Sequence, residues 1–166
     1  QSQPEPEKTS SPGQKGSNQS FDTAKWKTYI NFGYLYIIKY PDNWFFYNNL
    51  NPPPPTTILL SNVPEGSQSS EGNSFEVFVA QANGITLDNH EEIQNSINNG
   101  WQKSETILSS QPAVRLEMSD DNGKSVSVYS LYHNYIYRLS WVEDSPGICD
   151  QIFNTFTFTK DKEKPE

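Results

Sequence analysis

The stretch Tyr29-Ile-Asn-Phe-Gly-Tyr34-Leu-Tyr-Ile-Ile-Lys-Tyr40-Pro-Asp-Asn-Trp44 decides the fold. Lys27 to Ile30 reads as a short strand and Asn31-Phe-Gly33 as a turn, with Gly33 free to take a positive φ. From Tyr34 to Tyr40 the side chains alternate: Tyr34, Tyr36, Ile38 and Tyr40 face one way, and Leu35, Ile37 and Lys39 the other. Pro41 ends that strand, because proline has no N–H to give a ladder, and it fixes the turn that follows. Trp44 can then fold back over the end of the sheet and bury a large area. Tyr40, Pro41 and Trp44 are thus a structural motif. A hairpin closed by an aromatic lid is the seed of an antiparallel sheet.

Outward from this seed, strands continue to dominate. Trp44–Tyr47 is a short aromatic piece, Pro52 to Pro55 a polyproline segment, and Thr57–Ser61 a strand. Ser74 to Ala82 is apolar on both faces, which predicts a central strand covered on both sides. A helix follows: Asp88 is the expected cap with Glu91 three residues on, Ile93, Ile97 and Trp101 share a stripe, and Gly100 stops it. Strands are expected over Ser104–Ser109, Ala113–Met118 and Ser125–Tyr132, the last two joined through Asn122-Gly123. Tyr135–Val142 is a further strand, with Tyr135, Tyr137, Leu139 and Trp141 on one face. Ser145-Pro146 opens a second helix in which Ile148, Ile152 and Phe156 recur every four residues. The segment Thr155 to Phe158 returns to strand. Hairpins outnumber crossovers, so the expectation is an α+β domain: an antiparallel sheet flanked by helices.

The folded domain is expected over residues 21–159. Residues 1–20 contain only Pro, Ser, Gln, Gly, Glu, Lys, Thr and Asn, with no large apolar residue, and read as a disordered tether; residues 160–166 read as a charged tail. The chain of 166 residues carries a net charge of -8, and each tail is neutral, so the domain holds all of it, with seven basic and fifteen acidic groups. Such a globule repels phosphate backbones, which disfavours nucleic acid as a partner. One cysteine excludes an intramolecular disulfide, and no apolar run approaches the roughly 18 residues of a membrane helix. Gln1 and a polar tether suggest a segment that follows a cleaved signal, a lipidated cysteine or a membrane anchor, and hence a place outside the cytoplasm. A cytoplasmic protein is the alternative.

The residues that could carry chemistry have simpler roles. His90, Glu91 and Glu92 lie about 100° apart on one helix, so they cannot converge on one ion. His133 beside Asn134 belongs to a hairpin turn. A zinc site shared by His90, His133 and a carboxylate is the one metal arrangement the composition offers. Cys149 sits beside Asp150, which would raise its pKa, and reads as buried packing. Asp120 to Gly123 resembles a calcium loop, but Met118 and Tyr129 occupy positions that need acids. No Walker loop, dinucleotide glycine pattern or nucleophile elbow is present, and no cofactor is implied. The tyrosines are the best hint of a binding face. Tyr34, Tyr36, Tyr40, Tyr129, Tyr135 and Tyr137 exceed the needs of a small core, and tyrosine suits surfaces that are apolar at one end and wet at the other. The loops at 48–56 and 62–73 could rim that face.

The run from Tyr29 to Tyr34 through Tyr40-Pro-Asp-Asn-Trp44 resembles the opening of PsbP-like domains, in which a Gly-aromatic strand enters a Tyr-Pro-x-x-Trp turn. The Tyr137-x-Leu139 strand and Asp150-Gln-Ile-Phe-Asn-Thr-Phe-Thr-Phe158 are similar to that family's ending, and the resemblance spans about residues 26–158. It implies a layered α/β/α domain. It also implies a non-enzymatic role: the family's photosystem II extrinsic subunits of the thylakoid lumen, its bacterial lipoproteins and its Ran-binding import factor act by docking, and no catalytic motif transfers. The photosystem subunits' basic docking residues have no counterpart in this acidic chain. The expectation is therefore a monomeric, extracytoplasmic domain that docks onto a protein or membrane-associated assembly. The alternative is a small-ligand, calcium or zinc binding domain of the same fold.

Overall fold

The computed structural model describes residues 21–48, 55–67, 72–121, 123–143 and 147–160. The tether 1–20, most of the polyproline segment, the tips of the loops at 48–56 and 62–73, and Ser145-Pro146 lie outside them.

Strand β1 (Lys27–Asn31) pairs antiparallel with β2 (Tyr36–Tyr40), Asn31 opposite Tyr36 and Lys27 opposite Tyr40. Along β2 the predicted alternation holds: Tyr36, Ile38 and Tyr40 are buried and Lys39 is exposed. The turn between them differs from expectation. Asn31 Oδ1 accepts from the backbone N–H groups of Gly33 at 3.2 Å and Tyr34 at 3.0 Å, an Asx turn, and the positive φ falls on Leu35 at 53° rather than on Gly33. Tyr34 therefore lies in the turn, outside the strand. After Pro41, whose carbonyl accepts from Trp44 N–H at 3.0 Å, the indole is 4% exposed, the lid the motif predicted.

The larger sheet contains β3 (Phe45–Asn48), β4 (Thr57–Ser61), β5 (Ser74–Gln81), β6 (Gln102–Leu108), β7 (Gln111–Asp120), β8 (Gly123–Tyr132) and β9 (Tyr135–Val142), all paired antiparallel. Its order is β3-β4-β5-β9-β8-β7-β6. From β5 the chain crosses through helix α1 (Glu91–Asn98) to the far edge, then meanders back until β9 pairs with β5. Helix α2 (Ile148–Thr155) leads into β10 (Thr157–Phe158), which pairs with the free side of β2 and completes a smaller sheet, β1-β2-β10.

One face of the seven-stranded sheet packs against the smaller sheet and α2. This main core includes Tyr36, Ile38, Ile58, Leu60, Phe75 and Tyr137. The layer on that side is thus part sheet, part helix. The opposite face carries a second, smaller core beneath α1, made of Ala82, Ile93, Val114, Leu116, Tyr129 and Ile136. Because α1 lies over β7 and β8, it leaves β5 uncovered on that side. Phe78 and Ala80 are only half-buried, so β5 is central in the sheet but not covered on both faces.

Local signals set the helix ends. A single 3₁₀ turn, Leu87–Asn89, precedes α1, and Asn89 Oδ1 accepts from Thr86 N–H at 2.7 Å. The capping box is therefore Thr86 with Asn89, on the 3₁₀ turn and two residues before the expected Asp88 with Glu91, and His90 is the N-cap of α1, with no side-chain capping hydrogen bond. Gly100 takes φ +91°, the left-handed stop predicted for it. Ahead of α2 stands Gly147 with φ +86°.

Candidate functional site

The face of the large sheet turned away from the main core carries Glu76 and Phe78 from β5, Arg138 and Ser140 from β9, and Ser125, Ser127 and Tyr129 from β8. Registers Glu76↔Ser140↔Ser127 and Phe78↔Arg138↔Tyr129 align them in adjacent rows. Arg138 is the centre. Its Nη2 donates to Glu76 Oε1 at 2.8 Å and its Nη1 to Glu92 Oε2 at 3.1 Å, while the guanidinium carbon lies 5.0 Å from the Phe78 ring centroid. Burial opposes its charge, but the Glu76 hydrogen bond and the Glu92 carboxylate outweigh it and push its pKa up. Nε of Arg138 is buried and has no hydrogen-bond partner among the described residues. Tyr129 donates to Glu92 Oε2 at 3.2 Å; burial, then the neighbouring carboxylate, pushes that phenol up to about 12.

Two grooves follow from this placement. One, of about 360 Å³, runs between α1 and the sheet past Glu92, Asn95, Asn99, Arg138 and Ser140. The next, of about 330 Å³, continues it over Leu59, Glu76, Ser125 and Val142. Both are lined by Trp101, Ser127 and Ser140, so they join there. The Ser127 and Ser140 hydroxyls are 3.0 Å apart on the floor. A separate cavity of about 440 Å³ lies beside β6, the edge strand, between Leu87, Asp88, Glu105, Ile107 and Pro112. Ile107 there is 60% exposed.

The six tyrosines do not form an open face. Tyr36, Tyr40, Tyr129 and Tyr137 are buried, and Tyr34 and Tyr135 are half-buried against each other, rings 5.1 Å apart at 81°. Burial is tolerable because the hydroxyls find partners: Tyr137 donates to the Tyr34 carbonyl at 2.6 Å, and burial pushes its pKa upward. The two histidines have different surroundings. His90 packs on Tyr129 with rings 5.6 Å apart, and its Nδ1 is buried without a described partner. Exposed His133, in the β8–β9 turn, has its ring 4.2 Å from that of Tyr132 and tilted at 45° to it. Among the described residues, no group of three or more His, Cys, Asp or Glu is placed to hold a metal ion. Cys149 is buried, its Sγ 3.7 Å from the Ser74 carbonyl.

The Glu76–Arg138–Glu92 fork was not anticipated from the chain. Its members come from β5, β9 and α1, and each alone reads as an ordinary surface charge; only the alternation that puts Glu76 and Arg138 on the less apolar face of their strands hinted at it.

No family model and no curated protein matches the sequence. Solved structures do. The solution structure of cyanobacterial PsbP (CyanoP) from Synechocystis sp. PCC 6803 is 13% identical and covers 88% of this chain and 99% of its own, with a TM-score of 0.55. A crystal structure of a Bacteroides thetaiotaomicron VPI-5482 protein is 13% identical, with a TM-score of 0.54 over 85% of this chain; this chain spans about half (51%) of that one. The chain has the PsbP-like fold.

Proposed function

We propose that this PsbP-like domain is a non-enzymatic, extracytoplasmic docking module that engages a protein of an envelope or membrane-associated assembly. The observation that carries the reading is the open edge of β6. An edge strand presents unpaired backbone groups to an incoming strand, and addition of a partner strand to such an edge is a common mode of peptide recognition. Beside it lies the cavity of about 440 Å³ lined by Leu87, Ile107 and Pro112, which can take a side chain of that strand. Glu105 at the rim, in a chain of net charge -8, favours a basic partner, while Asp88 beside it is paired with Lys103 at 3.6 Å. The fold likeness supports placement outside the cytoplasm, and no helix among the described residues is long and apolar enough to cross a membrane.

A photo-crosslinking amino acid at position 107 of the full-length protein, expressed in the source organism, tests this. A discrete adduct at 107 that is absent when the probe sits at exposed Asn154 of α2 is expected. No adduct, or the same smear from both positions, sinks the proposal. A second reading, a small-ligand domain on the same fold, is favoured by the groove around Arg138.

A further inference from the structure

We infer that the groove over the open half of the large sheet binds an uncharged, polyhydroxylated ligand, a neutral glycan. The site shares no lining residue with the β6 cavity, so the two readings stand or fall separately.

The argument begins with the floor. The open face of an antiparallel sheet is solvated and carries polar side chains, whose size sets the depth of its floor. Here β8 places Ser125 and Ser127, and β9 places Ser140, at positions lining the grooves. These short residues lower the floor and line it with hydroxyls, each able to donate and accept. The walls add amides from Asn95 and Asn99 on α1. Sugar hydroxyls need both donors and acceptors, and this lining supplies both.

The charged fork sharpens the chemistry. Arg138 is held between Glu76 and Glu92, so its plane is fixed before any ligand arrives. Its hydrogen bonds go to one oxygen of each carboxylate, leaving the second oxygens to accept from ligand hydroxyls. Two carboxylates against one guanidinium leave the fork net negative, which disfavours an anionic ligand; the carboxylates offer acceptors and the guanidinium donors. Neutral hydroxyls suit both. Finally, Trp101 stands where the two grooves join and offers an indole to the apolar face of a sugar ring. Each groove, at about 360 and 330 Å³, is within the range of small-molecule sites, roughly 300–1,000 Å³.

The test is a titration of the isotopically labelled full chain with cellohexaose, maltohexaose and chitohexaose, with hexagalacturonate as the anionic comparison. At least one neutral hexamer should shift the Trp101 indole signal and the Ser127 and Ser140 amides saturably, and hexagalacturonate should bind more weakly. Trp101→Ala should weaken binding about tenfold or more. Because Trp101 also packs on the core beneath α1, Ser140→Leu, which fills the floor, serves as the second variant and should weaken binding by a similar factor. Ile107→Lys, at the β6 cavity, should leave it unchanged. No response of these signals to any neutral hexamer at millimolar concentration overturns the inference. So does binding that survives both groove variants, or tighter binding of hexagalacturonate.

Discussion

Glu117 holds two cations at once. Its Oε1 accepts from Arg115 Nε at 2.6 Å and from Lys124 Nζ at 3.3 Å, and Glu143 closes the ring through Lys124 at 2.7 Å. Arg115 also lies over the Trp141 ring, 5.4 Å from its centroid, so the network clamps an indole that is 4% exposed. The Arg115 hydrogen bond, against some opposing burial and with the Arg115 charge and Lys124 adding to it, holds the Glu117 carboxyl below its ordinary range. A carboxyl whose pKa is lower folded than unfolded stabilises fully above the unfolded value of about 4.3 and loses that contribution as pH falls through the lower, folded value. The melting temperature of Glu117→Gln should therefore lie below that of the parent at neutral pH, and the gap should close in acid. An equal gap at about pH 7 and about pH 3 would remove the assignment. At this scale little of the charge network was legible. Arg115 and Glu117 are two apart on one strand and so share a face, which the sequence states, but Lys124 and Glu143 reach them only through the β7–β8 and β8–β9 pairings.

The elements were legible wherever a side-chain pattern spoke for the local backbone. Thr57–Ser61 and Tyr135–Val142 match the expected bounds, and Ile93 and Ile97 pack as the helical spacing implies, whereas Trp101 reaches the same small core from beyond the end of α1. Turns were less so. The pairs Ser109-Ser110 and His133-Asn134 each take two positive φ values, 48° and 68°, then 47° and 63°. Strand twist demands that geometry in a two-residue hairpin, and the chain adopts it with residues other than glycine. The Asn122-Gly123 pair, the strongest hairpin signal in the sequence, is offset by one: Asp120 pairs with Gly123, so Gly123 belongs to β8. Register wins there, because a one-residue slip would turn Val126 and Val128 out of the main core. Gly100 gives a clean test of local backbone control. A Cβ there meets nothing within 4 Å, so Gly100→Ala introduces left-handed strain alone. It should cost about 1 kcal/mol by chemical denaturation with an unchanged circular dichroism spectrum. A neutral result would show that α1 ends differently.

Across the whole molecule, Phe156 joins the two sheets. It leaves α2 just before β10, is 4% exposed, stacks on Tyr36 of β2 at 5.2 Å and meets Tyr137 of β9 edge-on at 6.4 Å. Truncating it opens a cavity at the seam of both layers. Phe156→Ala should lose about 3–5 kcal/mol, and tryptophan fluorescence and far-ultraviolet dichroism should still report one coincident transition. Two separated transitions would mean the small sheet folds on its own. The seam also shows why the tyrosines are inside. Alternation along β2 and β9 determined that Tyr36, Tyr40 and Tyr137 share faces with aliphatic neighbours, and with the hairpins it determined the α+β class and the antiparallel pairing. Those are local properties, written in a period of two or of 3.6 residues. Whether a tyrosine face meets solvent or another layer depends on β10 returning from the far end of the chain to lie along β2. Likewise the Arg138 fork, the serine-floored groove and the open β6 edge depend on where α1 crosses the sheet. Only the tertiary structure decided these, because they join residues whose sequence separation no local pattern spans.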